Sequence, residues 1–355
     1  MKGIWTLFLL GLSATVWGQI MPYYQSAEGL SGSNLKAELH NIIDDHVEFP
    51  YTSTSTDTWD ILQVTDRDTA DSNNVILLYS GRSVNGPQEY NNASGWTREH
   101  VWAKSRGDFG NSAPAGTDVH HLRPLDNGVN SSRNNRNFDN CVVCSEVVDA
   151  GFATGSYRDD NEWIFEPRDD VKGDVARMLF YMAVRYEGDV SGEPDLELTE
   201  DLQAQSSDLQ LHAVLSTLLA WHQQDTVSQW ERNRNEVIFT DFQLNRNPFI
   251  DYPELANHIW GDAINEAWPV IEDEEEPLGM QPFNAQRVKA YPQPVTDVLQ
   301  LSTSVESLAL YDLSGRLILQ RERVQAISMA EYQSGIYIIQ WQRGNQVGQI
   351  KVVKE

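Results

Sequence analysis

The stretch GWTREHVWAKSRGDFG, residues 95–110, places Glu99 and His100 side by side among three cationic residues and two tryptophans. Five residues later comes GTDVHHLRPLDNGVNSSRNNRNF, residues 116–138, which adds two histidines and many asparagines. Together, residues 96–137 hold six cationic and four acidic side chains, a net charge of +2. The whole chain of 355 residues carries a formal charge of −26, which would repel a polyanion. An anionic ligand would therefore be held by this local cationic segment.

The residue types in this segment suit metal-assisted hydrolysis of a phosphodiester. A neutral histidine can deprotonate water near pH 7, and carboxylate and amide oxygens can hold a hard cation. Arginine supplies planar donors that match a phosphate group. Neighbours on a regular strand point to opposite faces, so Glu99 and His100 can share a site only at a strand end, kink or bulge.

Helix and strand patterns are mixed along the chain without a βαβ rhythm, which predicts an α+β fold. Ser33 precedes an amphipathic helix in NLKAELHNIIDDH, residues 34–46, and NVILLYSGRSV at 74–84 is typical of a buried strand. Further helices are expected in DDVKGDVARMLFYMAVRYEG, residues 169–188, and DLQLHAVLSTLLAWHQQ, residues 208–224.

The motifs TREHVWAKSRG at 97–107 and GTDVHHLRPLDNGVNSSRNNRNF at 116–138 resemble those of the bacterial endonuclease I family, exported nucleases that do not discriminate between sugars. The resemblance extends over about residues 25–268 and includes GDVARMLFYMAVRY and NEVIFTDFQLNRNPFIDYPEL. It implies a ββα-metal nuclease core with surrounding helices.

The resemblance also implies roles for three residues. His100 would be the general base, Glu99 would bind the metal, and Asn130 of the VN motif would complete the protein ligands. The implied cofactor is Mg²⁺, with Mn²⁺ or Ca²⁺ as alternatives.

Contacts to the substrate are assigned to the cationic and amide side chains of the same segment. Arg106 is placed in the role of the family's phosphate-contacting arginine, although the loop that carries it is short here, and Arg98 or Arg123 are the alternatives. We also expect Arg123, Arg133 and Asn134 to contact substrate. Asn134 follows the VN asparagine by four residues, which would place both on one helix face. Its alternative role is to stabilise the turn that it occupies.

Two further groups could bind a metal but have simpler explanations. His120 and His121 are expected to be structural or to support the metal ligands from behind, because adjacent residues on a strand cannot both face one metal ion. Cys141 and Cys144 are the only cysteines, and either a disulfide or two inert thiols is favoured over a redox CxxC motif or a zinc site. A zinc site would need further ligands, such as these two histidines.

Both ends of the chain predict export. Residues 1–18 contain Lys2, an apolar run and small residues before a cleavage position, which is typical of a signal peptide. A nuclease domain is expected over 19–270, an acidic proline-containing linker over 271–287 and a small antiparallel β-sandwich over 288–355. The last region resembles the type IX secretion sorting domain, and an adhesive or carbohydrate-binding sandwich is the alternative.

The sequence therefore predicts a secreted Mg²⁺-dependent endonuclease that cleaves DNA and RNA with little sequence preference and leaves 5′-phosphates. Its expected partners are nucleic acid and the type IX secretion machinery, and it would pass through the periplasm to the medium or the cell surface as a monomer. No stretch beyond the N-terminus approaches about 18 apolar residues, so no membrane span is expected. The alternative is an exported, non-enzymatic protein that binds a metal or a polyanion.

Overall fold

The computed structural model describes the chain in two compact units, residues 1–271 and 272–355. The described residues are 23–204, 210–268, 288, 290–291, 294–312, 316–343 and 346–354. The predicted signal peptide and the whole of the predicted acidic linker lie outside these ranges, so both remain predictions. Within the described ranges, no helix combines the length and apolar character needed to cross a bilayer.

Short helices surround one long buried helix in the first unit. The α-helices of this unit are α1 (Gly32–Ile43), α2 (Thr58–Thr65), α3 (Lys104–Gly107), α4 (Asn127–Arg133), α5 (Lys172–Arg185), α6 (Leu215–Gln224), α7 (Gln229–Val237), α8 (Pro248–Asp251) and α9 (Leu255–Ile259).

The strands of the first unit form small separate sheets. They are β1 (Asn74–Ile76), β2 (Ser83–Asn85), β3 (Trp96–His100), β4 (Leu122–Asp126), β5 (Asn137–Phe138), β6 (Ser145–Asp149), β7 (Phe152–Asp159), β8 (Ile164–Glu166), β9 (Leu196–Thr199) and β10 (Gln210–Val214). The pairs β1–β2 and β3–β4 are antiparallel, β9–β10 is parallel, and the remaining strands form a sheet in the order β5-β8-β7-β6.

Helix α5 lies in the centre of the hydrophobic core, and every residue from Gly173 to Arg185 is buried. Its two buried arginines are neutralised by carboxylates from other elements. Arg177 Nε lies 2.6 Å from Glu231 Oε1, and Arg185 pairs with Glu193 at 2.8 Å. Burying these charges without partners would cost several kcal/mol, so the pairs allow a charged helix to occupy the core.

Strands β3 and β4 with helix α4 form the scaffold of the candidate site. The two strands pair with Glu99 opposite Arg123 and His100 opposite Leu122. Helix α4 begins directly after β4 and packs against both strands. This strand–strand–helix arrangement agrees with the predicted ββα core, and the mixed helices and strands confirm the predicted α+β class.

Three local predictions differ from the structure. Helix α1 begins after Ser31 instead of Ser33. The run at 74–84 is a hairpin, because the chain turns back through Gly81, whose φ is +67°. The segment 208–224 is a helix only from Leu215, since its first part forms β10 beside β9.

The second unit is one antiparallel sheet with its own hydrophobic core. Its strands are β11 (Ala290–Tyr291), β12 (Val298–Asp312), β13 (Leu317–Ser328), β14 (Gly335–Arg343) and β15 (Gln346–Lys354). The long strand β12 pairs with β11, β13 and β14, and β15 pairs with β14. Buried residues on these strands, including Leu299, Leu310 and Ile339, belong to one cluster. The predicted small β domain is thus present as a single curled sheet.

Candidate active site

Glu99 and His100 are the last two residues of β3, the strand-end position that would let neighbours serve one site. The His100 ring stacks on the ring of Tyr51, with centroids 5.6 Å apart, and its Nε2 lies 2.9 Å from the carbonyl oxygen of Gly116. A carbonyl only accepts hydrogen bonds, so Nε2 carries the proton and Nδ1 is the acceptor nitrogen.

His100 is uncharged at neutral pH. Burial lowers the pKa of the imidazole well below its ordinary value, and the neighbouring His121 lowers it further. The hydrogen bond to Gly116 opposes this shift. A neutral imidazole with an available lone pair is the form that a general base requires.

Glu99 is buried, and one of its oxygens contacts both a hydroxyl and a guanidinium group. Oε1 accepts a hydrogen bond from the Tyr79 hydroxyl at 3.0 Å and lies 3.1 Å from Nε of Arg133. Burial raises the pKa of the Glu99 carboxyl to about 7, while Arg133, Tyr79 and Lys104 oppose that rise. A divalent cation next to this carboxyl would favour its ionised form.

Asn130 lies on α4, the helix that also carries Arg133. It precedes Arg133 by three residues, so the two side chains share one face of the helix, and Arg133 contacts the carboxylate directly. Asn130 is half-buried. Helix α4 therefore carries an amide side chain on the same face as the arginine that contacts Glu99.

The oxygen donors of Glu99 and Asn130 fit a hard cation such as Mg²⁺. Over the described ranges, no three His, Cys, Asp or Glu side chains come together as a metal-binding group. A site with one carboxylate and one amide is compatible with that finding, because Mg²⁺ commonly keeps several water ligands.

Arg123 and Arg133, for which the sequence predicts substrate contact, both lie in the interior and have buried partners. Arg123 is 2% exposed and pairs with Asp66. Arg133 is 1% exposed and, besides its contact with Glu99, donates to the carbonyl oxygen of Val101 at 2.5 Å. Arg123 therefore stabilises the domain, and Arg133 holds the Glu99 carboxylate.

Arg106 is the most accessible of the three arginines considered for phosphate. Its alternative Arg98 is buried, with its guanidinium over the rings of Tyr51 and Trp59. Arg106 is half-buried on α3, and its Nε donates to the carbonyl oxygen of Asn135 at 2.6 Å. Burial, and then the charge of Arg133, lowers its pKa to about 10, so it remains a cation at neutral pH.

Lys104 is a cation of this site to which the sequence prediction gave no role. It is exposed at the start of α3, and its Nζ donates to Asn111 Oδ1 at 2.8 Å. Its charge lowers the pKa of both Glu99 and His100. Lys104 thus lies within electrostatic reach of both residues. Its position four residues after His100 is the feature of the sequence that could have identified it as part of the site.

Comparisons with known proteins identify the family of this chain. The sequence model of the endonuclease I family matches residues 31–254. This chain belongs to the endonuclease I family. The sequence model of the secretion system C-terminal sorting domain matches residues 289–355. Both resemblances that the motifs indicated are thereby confirmed.

Two curated relatives of this endonuclease I chain are named extracellular ribonuclease. The protein from Bacillus subtilis (strain 168) is 48% identical over 259 residues, which cover 73% of this chain and 85% of the relative. The protein from Bacillus amyloliquefaciens is 51% identical over 238 residues, which cover 67% of this chain and 78% of the relative.

The remaining predicted residues of the endonuclease I domain have structural contacts. Asn134 ends α4 with a φ of +50°, and its Oδ1 accepts a hydrogen bond from the backbone N–H of Asn135. It therefore supports the turn, the alternative role that the sequence allowed. His120 and His121 are buried, and burial lowers the pKa of each to about 4.

Cys141 and Cys144 form a disulfide in the loop between β5 and β6, with Cα atoms 5.8 Å apart. Of the two states that the sequence favours, a disulfide or two inert thiols, the disulfide is therefore present. These sulfurs are not free to bind zinc.

Proposed function

We propose that this protein is a secreted, metal-dependent endonuclease that hydrolyses phosphodiester bonds in RNA and DNA with little sequence preference and leaves 5′-phosphates. The observation that carries the proposal is the neutral His100 beside the Glu99 carboxylate at the end of β3, in a chain of the endonuclease I family. The names of the two relatives support RNA as a substrate and an extracellular location.

His100 would act as the general base. Its Nε2–H is held by the Gly116 carbonyl, so Nδ1 is oriented by that hydrogen bond and by the stacked ring of Tyr51. Nδ1 would take the proton from the water that attacks phosphorus. Because burial keeps the imidazole neutral, no proton has to leave it before the reaction begins.

Glu99 and Asn130 would hold Mg²⁺, with Mn²⁺ or Ca²⁺ as alternatives, and Arg106 and Lys104 would bind phosphate. When bound, the ion would neutralise the negative charge that develops on the phosphate and on the leaving oxygen. Tyr79 and Arg133 orient the Glu99 carboxylate through Oε1.

The C-terminal unit would direct export. Its match to a secretion sorting domain supports delivery by the type IX machinery to the medium or the cell surface. Passage through the periplasm would depend on the signal peptide predicted at residues 1–18.

The competing function is an exported protein that binds a metal or a polyanion without cleaving it. Purified protein should be incubated with supercoiled plasmid and with a long RNA in Mg²⁺, Mn²⁺, Ca²⁺ or EDTA, with His100→Ala as the matched control. We expect wild-type protein to cleave both substrates and EDTA to abolish the cleavage. The products should accept a 5′-label only after phosphatase treatment. Intact substrates in all three metals across a range of salt and pH would overturn the enzyme proposal and favour the binding protein.

A further inference from the structure

Trp163 is an exposed aromatic residue in a conformation that bulky side chains rarely adopt. It lies in the turn between β7 and β8, is 38% exposed and has a φ of +60°. A left-handed backbone at a bulky residue is unfavourable and persists only where surrounding contacts fix it. Such an outlier is a reason to look for a function of the side chain.

Two contacts fix the indole. The guanidinium carbon of Arg136 lies over the ring, 3.9 Å from its centroid. The indole N–H donates to Asn135 Oδ1 at 2.8 Å. One ring face and the N–H edge are therefore engaged, which leaves the other face and the outer edge as the surfaces that a ligand would contact. The ring is rigid before any ligand arrives.

Asn135 connects this ring to the cation that we place at the phosphate. Its side chain accepts the Trp163 N–H, and its carbonyl oxygen accepts from Arg106 Nε at 2.6 Å. Its Nδ2 also donates to the Ser105 hydroxyl at 3.1 Å. Trp163 and Arg106 thus contact the same residue, so one residue links the partly exposed indole to a cation of the candidate site.

We propose that Trp163 stacks on a nucleobase of the substrate, in a nucleotide adjacent to the phosphate that Arg106 contacts. The proposal rests on the proposed nuclease function and adds the part of the substrate that is recognised. An aromatic face stacks on any base, which gives affinity without sequence preference. An unpaired base has an accessible face, so this contact favours single-stranded segments.

The acidic residues near Trp163 do not prevent this contact. Asp160, in the same turn, pairs with Arg136 and Arg158. Asp159 accepts hydrogen bonds from the backbone N–H groups of Asn161 and Glu162 through Oδ1. The proposed ligand of the ring is an uncharged base, while the phosphate lies towards Arg106.

Phe152 provides a matched control on the same strand hairpin. It is 42% exposed and also lies beneath an arginine, Arg82, at 5.7 Å. Phe152 begins β7, whereas Trp163 follows the end of that eight-residue strand, so roughly 25 Å separates them. Loss of an exposed aromatic ring at this distance should not affect a base near Arg106.

The decisive test compares binding of a fluorescently labelled single-stranded DNA oligonucleotide with binding of an abasic strand of equal length, both in EDTA. We expect Trp163→Ala to weaken binding of the ordinary strand about 5–150-fold, the range that one stacked base supplies, and to bind the abasic strand as wild type does. Trp163→Phe should retain most of the affinity, and Phe152→Ala should equal wild type. Equal binding of the ordinary strand by Trp163→Ala, or an equal loss on both strands, would overturn the proposal.

A measurement on the wild-type protein covers the case in which the variants do not fold. Trypsin cleavage after Arg158 and Arg168 releases a peptide whose only tryptophan is Trp163. Mass spectrometry should show that the ordinary strand protects this indole from oxidation and that the abasic strand does not. Oxidation that is unchanged by a saturating ordinary strand would contradict stacking. Wild-type protein that neither binds nor cleaves any nucleic acid would instead overturn the proposed function.

Discussion

Glu99 and His100 are adjacent in sequence, yet their environments change their pKa values in ways that suit different tasks. Burial makes the Glu99 carboxyl harder to ionise, and Arg133 and Tyr79 partly offset that effect. Burial also keeps the His100 imidazole neutral, with His121 acting in the same direction. The result is a carboxylate that benefits from a nearby cation and a base that is ready to accept a proton.

Replacing the residues of this pair should separate metal binding from proton transfer. We expect His100→Ala to lower kcat by about 10²–10⁴-fold, the usual contribution of a general base, and to leave Mn²⁺ affinity near that of wild type. Glu99→Ala and Asn130→Ala should weaken Mn²⁺ binding and activity together. Isothermal titration with Mn²⁺ and initial-rate assays measure both effects, and a His100→Ala enzyme of near wild-type rate would remove His100 from the base role.

The direction of a side chain is the part of the site that residue types alone do not determine. Arg133 was assigned to substrate because it lies in a cationic segment, but its helix turns it inwards to Glu99. Arg123 likewise pairs with Asp66, which lies 57 positions earlier in the chain. A sequence motif identifies Glu99 and His100, whereas the partner of each arginine depends on distant segments that only the folded chain brings together.

At the scale of single elements, the short helix α3 carries the exposed positive charge of the site. Lys104 and Arg106 both lie on it, and neither forms an ion pair with a carboxylate in the described part of the chain. We expect Lys104→Ala and Arg106→Ala each to raise KM and to reduce the dependence of nucleic acid binding on salt concentration by about one phosphate contact. Affinity measured at several salt concentrations gives this slope.

Arg123 is the control for the measurement of salt dependence. It is a cation of the same segment, but it is already paired with a buried carboxylate. Arg123→Ala should lower the free energy of unfolding by less than the about 3–5 kcal/mol expected for an unpaired buried charge, because Arg234 still pairs with Asp66 at 3.2 Å. Urea denaturation measures the change. An unchanged salt slope in both α3 variants would show that phosphate is bound elsewhere.

Strands were harder to predict than helices for a reason that β10 illustrates. Its residues 210–214 continue into α6, and the apolar spacing of the whole run also fits one helix. Tertiary contacts determine the outcome, because the buried His212 bonds to Asn137 and lies 3.1 Å from Arg133. The long apolar helix α5, by contrast, was recognised from its sequence because its periodicity extends over several turns.

At the scale of the whole molecule, buried histidines should make the first unit sensitive to acid. Burial lowers the pKa of His120, His121 and His222 to about 4, below the ordinary value near 6.5. The unfolded chain therefore binds more protons between these values, so the stability that neutral histidines provide is present above pH 6.5 and is lost as the pH falls to 4.

The expected loss is about 3 kcal/mol for each of these histidines, and carboxyl groups whose pKa burial raises oppose it. Burial raises the pKa of Glu99 and Glu231 to about 7, so both groups favour the folded state as the pH falls. Burial also lowers the pKa of His100 and His212 well below the ordinary value, so five buried histidines act in the destabilising direction, and Tm should fall between pH 6.5 and 4.

The matched variant for the acid experiment is His222→Gln, whose amide can still donate to the Pro253 carbonyl that His222 Nε2 contacts at 2.8 Å. This variant should lose less stability than wild type over the same pH interval. Scanning calorimetry at several pH values measures both proteins. A Tm that is constant from pH 6.5 to 4 would contradict the expected proton linkage.

The two units differ in role, and each has a hydrophobic core of its own. Every residue assigned here to catalysis, metal binding or substrate lies in the first unit, and the second matches a sorting domain. A chain of residues 19–277 should therefore fold and cleave nucleic acid at a rate similar to that of residues 19–355. This truncation removes strands β11–β15 and leaves the core of the first unit intact. In the producing cell the same truncation should accumulate in the periplasm. If the truncated protein is folded but inactive, the C-terminal sheet contributes to substrate binding. If the truncated protein is released into the medium as usual, the sheet has no sorting role.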